Sequence, residues 1–348
     1  MTDDAQEGDR EPLTTKEGWA RFVNADPVVP PVLSRGELLA LDDEARAAHD
    51  EDRLDYHTRL AIVATPAIRQ VASVGRRLVL LNRHQISARR GLIVTGPTGT
   101  GKTTAVTQLG RSHERAVRRR HPDEPSRVPV VYVTVPPVAT PRMLAVEFAR
   151  FLGLPLSIRS NQADVTNAVC GVLSDLCADL VIVDEIHNLN LATRAGAEAS
   201  DQLKYLSERI PATFVYAGID VAGVGLFGGT RGGQIAGRFS SLPTAPFPYG
   251  GAAQRGQWQA LVATLEQALR LHRHIEGTLL KLDAYLHQRT DGMIGSLSHL
   301  VRGAAIEAIL DGSEAITKAT LEAVRLDHAA EQAHRQRSRS KAPARAAS

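Results

Sequence analysis

The chain has 348 residues, 43% apolar and 23% charged, with 41 Lys and Arg against 38 Asp and Glu for a formal charge of +3. That is the balance of an ordinary soluble globular protein with room for a sizeable core. No apolar run approaches the roughly 20 residues that span a bilayer, and the acidic start (Asp3, Asp4, Glu7, Asp9) does not match a secretory leader, so a cytoplasmic protein without a membrane partner is expected.

Residues 1–34 read as a disordered and Pro-rich N-terminal segment, with an extended connector over 24–34. A helical extension is expected over 35–84, where Leu38, Leu39 and Leu41 lead into an acidic stretch and Ile68, Val71, Val74 and Leu78 recur at helical spacing. It would pack beside the following core or on a neighbouring subunit. An α/β core is expected over 85–250. Its first strand, around Leu92, Ile93 and Val94, runs into Gly96-Pro97-Thr98-Gly99-Thr100-Gly101-Lys102-Thr103 and then a helical pattern. Strand, glycine-rich turn and helix in that order make GxxxxGK[ST] a phosphate-binding loop. The glycines let backbone N–H groups curl toward phosphate oxygens, and the start of the helix adds positive potential. Residues 96–103 with Thr104 are therefore expected to bind ATP, Lys102 reaching the β and γ phosphates and Thr103 holding Mg²⁺.

Val106, Leu109 and Val117 mark the buried side of the helix after the loop. Val128–Val135 is a β-branched run, hence a buried parallel strand, and Met143–Phe151 reads as the next helix. Val165, Val169, Val172, Leu173 and Leu176 form another helix face, which predicts Cys170 and Cys177 as buried or half-buried thiols on one helix. Strands follow at Leu180–Val183, Thr213–Ala217 and, short and last, Leu242–Phe247, with a helix around Leu203–Ile210. Alternating strands and helices predict a parallel sheet with helices on both faces. Gly225–Gly237 reads as a mobile interface loop. Residues 251–330 carry only helical patterns, built on Trp258, Leu261, Leu265, Leu279, Leu286, Leu297 and Leu300, and predict a helical lid. A basic disordered tail is expected over 331–348. This tail and the cluster of Arg111, Arg115, Arg118, Arg119 and Arg120 fit either a polyanionic partner or a solvated surface.

Asp184 and Glu185 end the apolar strand Val181-Ile-Val. Asp184 is placed to bind Mg²⁺, directly or through its water, and Glu185 to orient and deprotonate the attacking water. His187 reads as a polar residue beside the site. Arg238, ahead of the last strand, stands where ring-forming ATPases carry an arginine that reaches the γ-phosphate on the adjacent subunit.

Gly-Pro-Thr-Gly-Thr-Gly-Lys-Thr, Val-Tyr-Val-Thr-Val-Pro-Pro, Val-Ile-Val-Asp-Glu-Ile-His-Asn-Leu and Gly-Arg-Phe together resemble the TniB family of AAA+ ATPases, as do Tyr56–Leu60, the Thr65-Pro66 step and Asp291–Gly295. The resemblance covers roughly residues 50–325. It implies an AAA+ P-loop fold with a C-terminal helical lid, in an ATP-dependent regulator of DNA transposition related to TnsC. Such a protein hydrolyses ATP slowly, assembles as a ring or filament on duplex DNA, and connects target choice to a DDE transposase and a TniQ-type protein. Family analogy puts Thr140 and Arg142 toward the DNA; on the residues alone they read equally as a helix N-cap and an exposed arginine. Two departures stand out. Ala217-Gly218-Ile219-Asp220 replaces the Gly-Thr frequent in the family, leaving Asp220 as a substitute sensor, and the lid around Ser296 lacks the usual arginine, with Arg302 as an alternative. The rival readings are an ATP-gated adaptor without DNA contact and a helicase loader similar to IstB or DnaC proteins.

Overall fold

The computed structural model describes residues 11–59, 62–157, 159–191, 193–221, 237–327 and 331–332. The chain divides into two compact units, one of Met1–Ala25 with Pro66–Thr244, the other of Asp26–Thr65 with Ala245–Ser348. The division departs from the boundaries expected from sequence. The 35–84 extension is shared between the two units, and the first unit begins its continuous stretch at Pro66 instead of 85. Residues 225–236 of the expected mobile loop and 333–348 of the basic tail lie outside the described residues.

The first unit is built on five parallel strands: β1 (Gly91–Thr95), β2 (Val130–Thr134), β3 (Leu180–Asp184), β4 (Thr213–Gly218) and β5 (Phe239–Pro243), in spatial order β2-β3-β4-β1-β5. β-branched and apolar residues on both faces of each inner strand (Leu92, Val94, Val181, Ile182, Val215) are fully buried, as covering helices require. The helix Pro66–Asn82 packs on β1 and β4 and against the helix Lys102–Arg120, which puts Val71 and Leu78 in the core. The last strand starts three residues earlier than expected. Phe239 lies opposite Gly91, where a Cβ would sit 2.1 Å from its ring, and stacks on Tyr216 at 5.0 Å. Pro243, Pro246 and Pro248 then have no N–H to continue the ladder.

A short helix, Lys16–Asn24, falls inside the segment read as disordered. Its Thr15 side chain accepts from the Gly18 N–H at 3.0 Å, capping the first turn. Trp19 is 2% exposed, stacks on Tyr132 at 5.7 Å and donates its indole N–H to Glu114 at 2.6 Å. Gly110 leaves the room, since a Cβ there would meet the Trp19 ring at 2.7 Å. Cys177 also differs from expectation: Cys170 is buried, but the helix ends at Asp175 and Cys177 is exposed in a left-handed turn.

The second unit is helical among its described residues: Arg35–Ala40, Asp43–Thr58, Ala252–Gln267, Thr278–Lys281, Asp283–Thr290, Ile294–Leu310 and Lys318–Ala323. Trp258, Leu261, Leu286, Leu297 and Leu300 form its core. The helix Asp43–Thr58 belongs here because Arg53, 1% exposed, bonds Glu314 through both amino groups (2.7 and 2.8 Å), the Arg270 carbonyl (3.0 Å) and Asp50. A buried guanidinium needs that many acceptors. No single helix among the described residues is long and apolar enough to cross a membrane; Asp283–Thr290 with Ile294–Leu310 passes such a test only as a pair bent by 117°.

His57, on the same helix, accepts the Arg270 N–H at 3.2 Å. Burial and the nearby guanidinium groups of Arg270, Arg53 and Arg302 push its imidazole down from 6.5 to about 4. The unfolded chain therefore binds a proton that the folded ring refuses between those values. The stabilisation is complete above pH 6.5 and falls by about 3 kcal/mol as pH drops through 4. Chemical denaturation at pH 7, 6, 5 and 4 should show this loss in wild type and a shallower one in His57→Gln. Identical pH dependence in the two would contradict the assignment.

Candidate nucleotide site

The carboxyl ends of β1, β3 and β4 converge on the loop after Thr95. Gly96 donates its N–H to the Gly218 carbonyl at 3.3 Å, and a Cβ at 96 would lie 2.2 Å from the Thr244 carbonyl, so the loop can turn here only with glycine. Gly99 and Gly101 have φ of +78° and +85°, the left-handed region that side chains disfavour. Thr100 packs its hydroxyl 2.8 Å from that of Thr244, and Thr244 donates its N–H to the Thr95 carbonyl at 2.7 Å. Pro97 and Thr98 are exposed at the tip of the loop. The helix that follows opens at Gly101 with no side-chain cap, so its first-turn N–H groups, including those of Thr103 and Thr104, remain for a ligand.

Lys102 is 8% exposed and donates to the carbonyls of Gly96 (2.8 Å) and Pro97 (2.7 Å), which leaves its third N–H. Burial holds its ammonium below the ordinary lysine value, against the opposite pull of Asp184 and Glu185. Asp184 is 1% exposed and accepts three bonds: from the Thr103 hydroxyl at 2.7 Å, the Tyr132 hydroxyl at 3.1 Å and the Glu185 N–H at 2.8 Å. Burial, then the Asp184 charge, pushes the Tyr132 phenol far up, so it stays a neutral donor. Glu185 takes a left-handed backbone (φ +57°) that swings its half-exposed carboxylate out of the strand to 3.2 Å from His187 Nε2.

A hydroxyl beside one buried carboxylate, next to uncapped helix N–H groups, fits Mg²⁺ held jointly by protein and phosphate oxygens. Among the described residues no group of three or more His, Cys, Asp or Glu could hold a metal by itself. The loop residues 96–104, Asp184 and Glu185 thus come together. Arg238 does not join them. The Gly91 N–H bonds its carbonyl at 3.1 Å, at the opposite end of β1, about 13 Å of strand away from the loop. Its guanidinium pairs with Glu208 at 2.6 Å. Asp220 is exposed with φ +42°. Arg302, in the second unit, bonds the carbonyls of His57 (2.8 Å) and Thr58, which accounts for its charge without a nucleotide. Thr140 caps the helix Pro141–Phe151 by accepting from Met143 N–H at 3.2 Å, and Arg142 donates to the Ser160 carbonyl at 3.1 Å.

Sequence reading missed Tyr132 and Thr244. The signal for Tyr132 was present: a phenol inside a buried β-branched run needs a polar partner. Thr244 carries no local signal, because its role depends on a register set by Phe239.

Among solved structures the chain is similar to the Aeropyrum pernix ORC1 protein in complex with DNA (18% identity, TM-score 0.57, covering 77% of this chain and 66% of that one). It is also similar to the Aeropyrum pernix ORC2 protein in its ADP form (17%, 0.57, 77% and 71%) and to Drosophila ORC bound to DNA (14%, 0.51, 85% and 69%). The chain thus spans about two thirds of their length. Identities this low speak for the fold alone: an α/β AAA+ P-loop NTPase fold, a parallel sheet flanked by helices with a helical C-terminal part. A search of curated proteins found no match. The family model described as bacterial TniB protein matches residues 53–248, more than half of the sequence, and the chain belongs to the TniB family.

Proposed function

We propose that this chain is an ATP-hydrolysing regulator of DNA transposition. It assembles as a ring or filament on duplex DNA and links target choice to a DDE transposase and a TniQ-type protein. The observation that carries the nucleotide part is the 2.7 Å bond from the Thr103 hydroxyl to buried Asp184, between the loop lysine and Glu185. Family membership supports the transposition part. The similar structures, one in an ADP form and two bound to DNA, support nucleotide and DNA as ligands.

Backbone N–H groups of 98–104 and the Lys102 ammonium bind the phosphates, the lysine exchanging loop carbonyls for phosphate oxygens. Thr103 and Asp184 would hold Mg²⁺, which neutralises charge on the phosphate oxygens. Glu185 takes a proton from water as the water oxygen bonds the γ-phosphorus and the bond to the bridging oxygen breaks, leaving ADP and phosphate. Arg238 lies too far from its own loop to act there, so its charge serves the nucleotide of an adjacent copy after release from Glu208. Thr140 still has its hydroxyl proton, and exposed Arg142 keeps N–H donors beyond the Ser160 bond, which suits phosphate contacts without base readout.

Lys102→Ala should abolish ATP binding in a filter or fluorescence titration. Glu185→Gln should keep binding, lower kcat by at least about a hundredfold and retain the assembled state; an unchanged kcat would remove Glu185 from its role. Arg238→Ala and Lys102→Ala proteins, each inactive alone, should recover ATPase activity when mixed, since each supplies what the other lacks. No recovery would contradict an arginine acting between copies. Duplex DNA binding should weaken steeply with salt, and Arg142→Ala should reduce the slope of log K against log salt by about one. Binding indifferent to salt would exclude phosphate tracking.

A further inference from the structure

His187 places its Nε2 3.2 Å from the Glu185 carboxylate, a charge contact within the turn after β3. The other ring nitrogen, Nδ1, accepts the Ile219 N–H at 3.4 Å. An accepting Nδ1 carries no proton, so the neutral ring has its proton on Nε2, the nitrogen that faces Glu185. Ile219 follows directly on β4. The strand end comes this close to the turn Ile186–Asn188 because residue 218 is glycine: a Cβ there would lie 2.7 Å from the Ile186 side chain and 3.2 Å from the His187 backbone nitrogen. The Gly218 carbonyl in turn accepts the Gly96 N–H of the nucleotide loop at 3.3 Å. Ala217, Gly218 and Ile219 offer no side-chain donor at this strand end, so the link runs through backbone and His187.

We infer that His187 is a positioning residue for hydrolysis, which orients Glu185 toward the attacking water and ties it, through the end of β4, to the nucleotide loop. This rests on Glu185 being the base. Glu185 leaves its strand in a left-handed turn and projects about half-exposed, beyond the end of the strand that would hold it. A ring anchored at its far nitrogen fixes the orientation of that carboxylate, as an outer hydrogen-bond partner orients a reactive group. The effect belongs in kcat, because His187 has no bond to the phosphate-binding loop itself.

The test uses the full chain with Mg·ATP, measuring kcat, KM and, separately, ATP affinity by fluorescence. His187→Ala and His187→Asn should lower kcat about ten- to a hundredfold, with KM and ATP affinity within about twofold of wild type. Asparagine reproduces the Nδ1 position but cannot reach Glu185. His187→Gln, whose amide nitrogen sits near the Nε2 position, should restore kcat to within about threefold of wild type. This Asn and Gln pair, both polar and smaller than the ring, carries the comparison even where alanine impairs folding. Wild-type kcat in His187→Asn, or a His187→Gln as slow as His187→Asn, would overturn the inference. Glu185→Gln, run in parallel, separates the two readings. If it loses hydrolysis while His187→Asn keeps it, only the His187 role falls; if it hydrolyses at the wild-type rate, the base assignment falls and this inference with it.

Discussion

One buried carboxylate, Asp184, holds the nucleotide loop to the sheet. A carboxyl group that is 1% exposed is costly unless it is hydrogen-bonded, and Asp184 accepts from three donors: the hydroxyls of Thr103 and Tyr132 and the N–H of Glu185. Each donor fixes a different element. Thr103 sets where the helix after the loop begins, Tyr132 sets the neighbouring strand, and the Glu185 N–H sets the turn that carries the catalytic candidate. Tyr132 is itself fixed from below by the Trp19 ring, whose N–H returns to Glu114 on the loop's own helix. The N-terminal helix thereby belongs to the site's support.

The second constraint is closeness of backbone. Gly96 lies between the ends of β4 and β5, against Gly218 on one side and Thr244 on the other. With β1 between β4 and β5 in the sheet, the loop senses both strand ends at once. The parallel direction of the strands also sorts the charges. Lys102, Asp184 and Glu185 gather at the carboxyl ends, while Arg238 and its partner Glu208 sit at the amino end. A residue at the far end of a parallel strand cannot serve its own loop, so the separation within one chain is what a contribution between copies requires.

Much of this was legible in the residues. The loop, the Asp-Glu strand end and four strands follow from local pattern: glycine spacing, β-branched runs and a lysine at the helix start. What was not legible depends on contacts between distant positions. Trp19 looks like part of a polar tail until Tyr132 and Glu114 are beside it. The final strand begins at Phe239 because Gly91 and Tyr216 receive its ring. The helix Asp43–Thr58 groups with the C-terminal helices because Arg53 and His57 find Glu314 and Arg270, more than 200 positions on. His187 looked like a bystander in sequence; only the bond from Ile219 gives its ring an orientation.

The central claim is that the Thr103–Asp184 pair and Lys102 form the seat of Mg·ATP. A crystal or cryo-EM structure with Mg²⁺ and a non-hydrolysable ATP analogue tests it most directly. The account predicts Lys102 moved from the carbonyls of Gly96 and Pro97 onto the β and γ phosphates, with the metal beside Thr103 and Asp184. An analogue bound elsewhere, with the bonds from Lys102 to the loop carbonyls unchanged, would contradict it.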